Sequence, residues 1–322
     1  MALTGVHGVA GAALVRRLEA DERTRRLVLL DRRAPALPLR DTAFHGIDLT
    51  AALADVALAE IFARERVETV IHAAFHERPR RDLEAAHELE VLGTRAALPC
   101  RRRQRAPRRD DRQRRRAGND DELRSSARQR PVPRRRGALR GGVDYPFVAD
   151  KVAVEREADV LRSRTGLPVA MMRLAPVVGD GRTLMAQLLA PSAVPAVIGT
   201  DPLMQLLDLD DLVEAVRTAA HGRLDGSFNV AGEEVLPLST IIKLAGRLRA
   251  ALPEAVLRLA LQSMWVVGAG LVPGAHVSYL RDTFVADTTC MEEALGFRSR
   301  YGIRDALARH LGTRRGGQRR AA

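Results

Sequence analysis

The stretch Thr4-Gly5-Val6-His7-Gly8-Val9-Ala10-Gly11 restricts this chain more than any other. It spaces three glycines as TGxxGxxG between the end of a short strand, Leu3-Thr4-Gly5, and a run with helical spacing of apolar residues, Val9, Ala12, Ala13, Leu14 and Leu18. Glycines at such a junction let the backbone turn tightly and approach a ligand closely. The helix start that follows offers unpaired N–H groups and a partial positive charge, which suit a pyrophosphate. Gly5, Val6, His7, Gly8, Val9 and Gly11 are therefore candidate dinucleotide-binding residues. The next apolar strand, Leu27-Val28-Leu29-Leu30-Asp31, ends in a carboxylate 20 residues after Gly11. A carboxylate there can accept the adenosine ribose hydroxyls, which favours NAD. Arg32 and Arg33 follow it, and an arginine there keeps NADP open through its 2′-phosphate.

Strand and helix patterns then alternate: a helix over 51–66, a strand over 67–72 and a helix over 83–97. This alternation predicts an α/β fold, a Rossmann-type doubly wound parallel sheet covered on both faces, with a smaller C-terminal α/β domain. After an interruption, the spacing predicts a helix over 147–164, a strand over 167–174 and a helix near 184–189. A strand over 204–207, a helix over 210–220, a strand over 227–230, a helix over 239–252 and short helices near 289–295 and 303–311 follow. The expected organisation is a first Rossmann part over 1–98, an aberrant segment over 99–142 and the rest of the Rossmann domain over 143–180. A mainly substrate-binding region with some sheet-completing elements covers 181–312, and a Gly/Arg-rich tail, expected to be mobile, covers 313–322.

The formal net charge is +12. Residues 101–140 hold 17 arginines and five carboxylates, so this window accounts for the whole excess. The basicity is local and is not a property of the fold. The window lacks apolar period and aromatic residues, so it cannot bury enough surface to offset its ordering entropy. The absence of stacking aromatics argues against nucleic-acid binding. Out-of-frame translation of GC-rich codons accounts for its Arg, Pro, Ala and Gly. One permitted back-translation of Glu122–Arg128, shifted by two bases, reads Ala-Ala-Val-Phe-Gly-Ala. A disordered insertion and a phosphate-binding arm are the alternatives.

Two cysteines give no disulfide framework, and no metal site is expected. The start has no signal-peptide pattern, and the apolar run 259–272 is too short to span a bilayer. A cytoplasmic protein without membrane partners is expected.

The ordered set of motifs resembles the extended short-chain dehydrogenase/reductase family, the NAD-dependent sugar epimerases and dehydratases. Asp48-Leu49 resembles the family's adenine-contacting pair. Val70-Ile71-His72-Ala73-Ala74 is similar to the strand that runs beside the cofactor, where Ala73 and Ala74 fall. Val91-Leu92-Gly93-Thr94 is similar to NVxGT, with Glu90 where Asn is usual. Arg173-Leu174-Ala175-Pro176-Val177-Val178-Gly179 resembles RLxNVYG and adds Pro176. Leu207–Leu212, Phe228–Gly232 and Glu293–Phe297 resemble further family segments. The resemblance implies hydride chemistry on a nucleotide-sugar or related hydroxyl or carbonyl substrate, and a homodimer.

It also implies a YxxxK motif, whose tyrosine exchanges the substrate proton and whose lysine holds the nicotinamide ribose. Here Asp144-Tyr145-Pro146-Phe147-Val148-Ala149-Asp150-Lys151 puts Phe147 at the tyrosine position. Lys151 is one of only two lysines among 52 basic residues, which suggests a need for a compact ammonium. Pro146 opens the helix and leaves Tyr145 outside it, so Tyr145 is a weak candidate base. The expected catalytic residues are Lys151 and Tyr145, in an atypical or impaired site. A non-catalytic NAD(P)-binding sensor is the other reading. His72 is expected to be a packed strand-end histidine.

Overall fold

The computed structural model describes residues 1–36, 42–98, 145–222 and 224–318. The window 99–142, with its three readings, lies outside them. The chain opens with β1 (Ala2–Thr4), α1 (Val9–Glu19), β2 (Leu27–Asp31), β3 (Thr42–Gly46), α2 (Ala54–Arg64) and β4 (Val70–His72). The four strands form a parallel sheet in the order β3-β2-β1-β4. Residues alternate between its two faces, as the pleat requires. Leu27 and Leu29 of β2 join a core with Leu14, Val15 and Leu18 of α1. Val28 and Leu30 point the other way, onto Leu58 and Phe62 of α2. A strand buried on both faces reads as a continuous apolar run, as β2 does.

Helix α3 follows as three consecutive stretches: Leu83–His87, Glu88–Leu92 with π-helical pitch, and Gly93–Ala97. The wider π turn lets adjacent residues, Glu90 and Val91, both face inward. Beyond the undescribed window come α4 (Pro146–Thr165) and β5 (Ala170–Leu174). Pro146 at the first turn lacks an N–H that would otherwise go unpaired, and Gly166 with φ 65° ends the helix.

The remaining elements are β6 (Val177–Val178), α5 (Leu184–Leu188), β7 (Ala193–Val197), β8 (Leu203–Met204), β9 (Leu207–Asp208), α6 (Leu209–His221) and β10 (Gly226–Val230). They continue with β11 (Leu236–Pro237), α7 (Leu238–Leu244), β12 (Leu248–Leu252) and α8 (Glu254–Val266). A 3₁₀ turn over Gly274–Val277 leads into α9 (Ser278–Arg281), followed by α10 (Thr289–Leu295) and α11 (Ile303–Gln318). β5 pairs in parallel with β10 alone, and β4 with β1 alone, among the described residues. Helix α6 packs on α1, and its Leu212 and Val213 share the first core with Phe228 and Val230. A separate core gathers Leu189, Val194, Leu238, Ile241, Leu257 and Ile303 in the C-terminal part. The fold is thus a Rossmann-type α/β arrangement with a smaller C-terminal α/β region.

Three expectations change. The helix expected over 239–252 stops at Leu244; Gly246, with φ 68°, turns the chain, and β12 pairs in parallel with β7. The strand expected over 204–207 divides into β8 and β9, which pair with β11 and β6 respectively. The apolar run 259–272, read from the sequence as too short for a bilayer, contains the end of α8, where Leu259, Val266 and the C-cap residue Val267 are exposed. Among the described residues no helix is long and apolar enough to cross a membrane. Finally, α11 continues to Gln318, into the stretch expected as a mobile tail.

Asp211 of α6 shows how the C-terminal region is tied down. Its buried carboxylate accepts from the backbone N–H groups of Arg300 and Tyr301, at 2.9 and 3.0 Å, and from Arg300 Nε at 3.1 Å. Asp211→Ala leaves these donors without their acceptor. A loss of about 2–4 kcal/mol in folding stability is expected, read from the urea midpoint.

Candidate active site

The glycine turn forms as its sequence requires. Gly5 has φ 73°, and a Cβ there would lie 2.5 Å from backbone atoms of Ala73 and Ala74. A Cβ on Gly11 would lie 2.0 Å from the Gly5 carbonyl oxygen. These two glycines let β1, β4 and α1 converge. Gly8 is the N-cap of α1, with no side-chain cap and no acidic residue in the first turn. The first N–H groups of α1, from Val9 onward, therefore have no competing carboxylate from their own turn, and an anion fits there. Val6 is buried beneath the turn.

His7 Nε2 lies 3.0 Å from the Arg33 carbonyl oxygen and joins the turn to the end of β2. His7, Asp31, Arg32 and Arg33 line a cleft of about 320 Å³. Asp31 accepts from the Arg32 N–H at 2.7 Å, and the Arg32 guanidinium lies 3.4 Å from Asp48. Asp48 is held below the usual carboxylate range, first by the Thr50 N–H and then by the Thr50 hydroxyl. Leu49, next to it, is buried. Asp31, Arg32 and Asp48 thus meet at one end of the sheet.

A second cleft, also lined by His7, Gly8 and Gly11, reaches Ala73, Lys151 and Pro176. Ala73 donates its N–H to Thr4 Oγ1, and Pro176 accepts from the Leu207 N–H. His72 contacts Thr4 Oγ1 through Nδ1 at 2.8 Å and Thr94 Oγ1 through Nε2 at 3.0 Å. Both ring nitrogens are satisfied inside the fold. Among the described residues no group of three or more His, Cys, Asp or Glu could hold a metal ion.

Lys151 and Tyr145 go to different partners. Lys151 Nζ donates to both carboxylate oxygens of Glu90, at 2.6 and 2.7 Å, and to the His76 carbonyl at 3.0 Å. The rings of Phe75 and Phe147 lie 5.0 and 5.2 Å from the ammonium, within range of cation–π attraction. Phe147 thus touches the lysine, as a tyrosine there would, but carries no exchangeable proton. Glu90 is 2% exposed and also accepts the His76 N–H. Burial pushes Glu90 up and Lys151 down, each countered by the charge of the other. Residue 90 marks a departure from NVxGT in the sequence, but its partner, 61 residues away, is not legible there.

Tyr145 is the N-cap of α4, and its hydroxyl lies 3.0 Å from His276 Nδ1, 131 residues on. His276 in turn stacks on Tyr279, and Tyr279 on Phe284. Burial raises the Tyr145 pKa above its ordinary value, the wrong direction for a base. Burial lowers His276 to about 4. Two further groups had no signal in the sequence: His76, lowered to about 4 chiefly by burial, and Glu77, raised to about 7 chiefly by burial and then by Asp180. Glu77 lines the cleft and directly follows the residue whose carbonyl holds Lys151.

The histidine shifts set a pH response. A histidine at about 4 when folded and 6.5 when unfolded stabilises fully above pH 6.5, and that share is lost as pH falls toward 4. Glu77, protonated first in the folded chain, acts in the opposite sense below pH 7. His276→Gln retains an acceptor for Tyr145 and removes only the share of His276, leaving those of His76 and Glu77. Its urea midpoint should fall less than that of the wild type between pH 6.5 and 4.5.

A glycine turn on a parallel sheet, an acidic strand end and a lysine in the adjoining cleft are arranged as a dinucleotide would require. Residues 1–109 match the model of the NAD dependent epimerase/dehydratase family, which bears out the resemblance read from the motifs. The uncharacterized protein Rv0501 of Mycobacterium tuberculosis is 25% identical over 317 residues, covering 95% of this chain and 81% of the relative. DesIV, a dTDP-glucose 4,6-dehydratase from Streptomyces venezuelae solved with NAD and TYD bound, has a TM-score of 0.66 at 16% identity, over 98% of this chain and 97% of that one. UDP-glucuronic acid 4-epimerase from Bacillus cereus, solved with UDP-glucuronic acid and NAD, has a TM-score of 0.64 at 14% identity, over 98% of each chain. At these identities the two structures establish a shared fold.

Proposed function

We propose that this chain binds NAD, with NADP as the competing cofactor, and acts as an oxidoreductase of the epimerase/dehydratase type on a nucleotide-sugar or related hydroxyl or carbonyl substrate. Its proton-transfer site is atypical and its turnover impaired. The glycine cradle carries this reading: substituting Gly5 or Gly11 fills space that the backbone itself occupies, while the N-terminus of α1 remains uncapped by side chains. Val9 and Gly11 offer N–H groups to the pyrophosphate, His7 borders it, and Asp31 accepts from the adenosine ribose. Asp48 and Leu49 flank the adenine side, and Ala73, Ala74 and Pro176 wall the nicotinamide side. Bound NAD supplies a hydride acceptor. Phe147 and Phe75 shield the lysine, and Glu77 is the cleft carboxyl whose pKa suits proton exchange near neutrality. Tyr145, held on His276, serves packing in this reading.

The test is calorimetric titration with NAD and NADP, followed by NMR detection of products from UDP-glucose, UDP-glucuronic acid and dTDP-glucose, since epimerisation and dehydration return the hydride and leave no net reduced cofactor. Binding with slow product formation is expected, and failure to bind either dinucleotide would sink the proposal. Asp31→Ala should weaken NAD by about tenfold and NADP by less, because a charge-assisted hydrogen bond to ribose is lost in the first case alone. Binding without turnover by any of these substrates would instead support a non-catalytic NAD(P) sensor. The engagement of Lys151 by Glu90, with Phe147 beside it, favours that second reading.

A further inference from the structure

The Lys151 ammonium has three N–H bonds, and the protein provides three acceptors: two oxygens of Glu90 and the His76 carbonyl. Two aromatic rings cover it further. A lysine so placed has little capacity left for a ribose hydroxyl. Its charge is also matched by a carboxylate closer to it than residue 147, whose ring centroid is 5.2 Å away. We infer that Glu90 is a positioning residue that locks Lys151, and that Phe147 and Glu90 form a paired exchange: the residue that would use the lysine's charge is gone, and a carboxylate has taken up that charge. The inference rests on reading this cleft as the dinucleotide site.

The argument turns on charge balance. A phenol ionises readily beside a cation because the cation favours the phenolate. Beside a lysine–carboxylate pair the net charge is zero, and that help is largely cancelled. An amide at position 90 would hold the same space without cancelling the ammonium. Glu90 is placed for this by the π turn, which brings it inward, and by the His76 N–H and carbonyl, which fix the loop between them. The Thr94 hydroxyl donates to the Glu90 carbonyl and secures the same turn. It follows that Phe147→Tyr alone does not create an activated tyrosine; Glu90→Gln is needed with it.

Phenolate absorbance near 295 nm reads this without any substrate. Phe147→Tyr is compared with its wild-type parent, and Phe147→Tyr/Glu90→Gln with Glu90→Gln, so that the other three tyrosines cancel. The added tyrosine is expected to titrate at or above about 10 in the single variant. In the double variant it should titrate lower by about one pH unit or more. Equal titration in both would overturn the inference.

A second readout needs no change at 147. ¹⁵N-lysine labelling gives two side-chain signals, from Lys151 and Lys243. In the wild type the Lys151 ammonium should resist solvent exchange well above the pH at which Lys243 broadens; Glu90→Gln should abolish that protection and leave Lys243 unchanged. A wild-type Lys151 signal that exchanges as fast as Lys243 overturns the lock even if the variants do not fold. Calorimetry with NAD is run in parallel. Failure to bind NAD with a protected Lys151 would reject the cofactor reading alone.

Discussion

Lys151→Met is expected to destabilise the fold by about 3 kcal/mol at pH 8 and by less at pH 5. The substitution removes the cation and leaves Glu90, 2% exposed, without its partner. Breaking a buried pair from one side typically costs about 3–5 kcal/mol, because an uncompensated charge stays behind. The lower end applies here, since the Lys151 side chain is 36% exposed and Glu90 keeps the His76 N–H. The cost must shrink on acidification, because Glu90, already pushed up by burial, then takes a proton and becomes neutral. Lys151→Met/Glu90→Gln removes both charges and should recover most of the loss. Urea midpoints for the wild type and these two variants at pH 8 and pH 5 check both statements. A simple packing role for the lysine predicts a cost independent of pH and no rescue.

Gly11→Ala is expected to cost several kcal/mol, of the order seen when a core is overpacked against backbone. The added carbon would sit 2.0 Å from the Gly5 carbonyl oxygen and 3.1 Å from Val6 Cα, and neither can give way as a flexible side chain would. Relief requires α1 to move away from the turn, which also displaces the N–H groups offered to the cofactor. Dinucleotide affinity should therefore fall at least about tenfold in whatever fraction remains folded. Gly8→Ala is the informative contrast. Its added carbon meets only the Gly5 carbonyl oxygen, at 3.4 Å, an ordinary contact. That variant should melt close to the wild type while losing affinity, because the methyl group intrudes at the N-terminus of α1 where the pyrophosphate approaches. Thermal unfolding and calorimetry on the two variants separate a glycine needed for the fold from one needed for the ligand.

The first half of the sheet and the cofactor end of the site were legible from local pattern. The helix over Val9–Glu19 and the strand over Leu27–Asp31 have the bounds that their apolar spacing predicts. The tight approach at Gly5 and Gly11 follows from glycine chemistry at a strand-to-helix junction. The unusual retention of Lys151 among arginines also pointed to a residue with a specific geometric task, and it sits in a compact box of acceptors and rings.

Other features depend on distant parts of the chain and have no local signature. β3 (Thr42–Gly46) carries only a short, mixed run and becomes a strand because β2 offers it a parallel edge. The helix expected through 252 reads as apolar and periodic, yet β7 captures Leu248–Leu252 once Gly246 has broken the turn. Tyr145 looked free to fold back toward the lysine, but His276 offers a buried partner for its hydroxyl, and a buried hydroxyl without one would cost free energy.

By itself, then, the sequence determined an α/β first half, its glycine cradle and the absence of a tyrosine at position 147, because these are properties of neighbouring residues and their period. Only the tertiary structure decided what Lys151 and Tyr145 do with their polar atoms. Hydrogen bonds and charges are settled by whichever partner the fold brings within 3 Å, and here those partners, Glu90 and His276, lie 61 and 131 residues away.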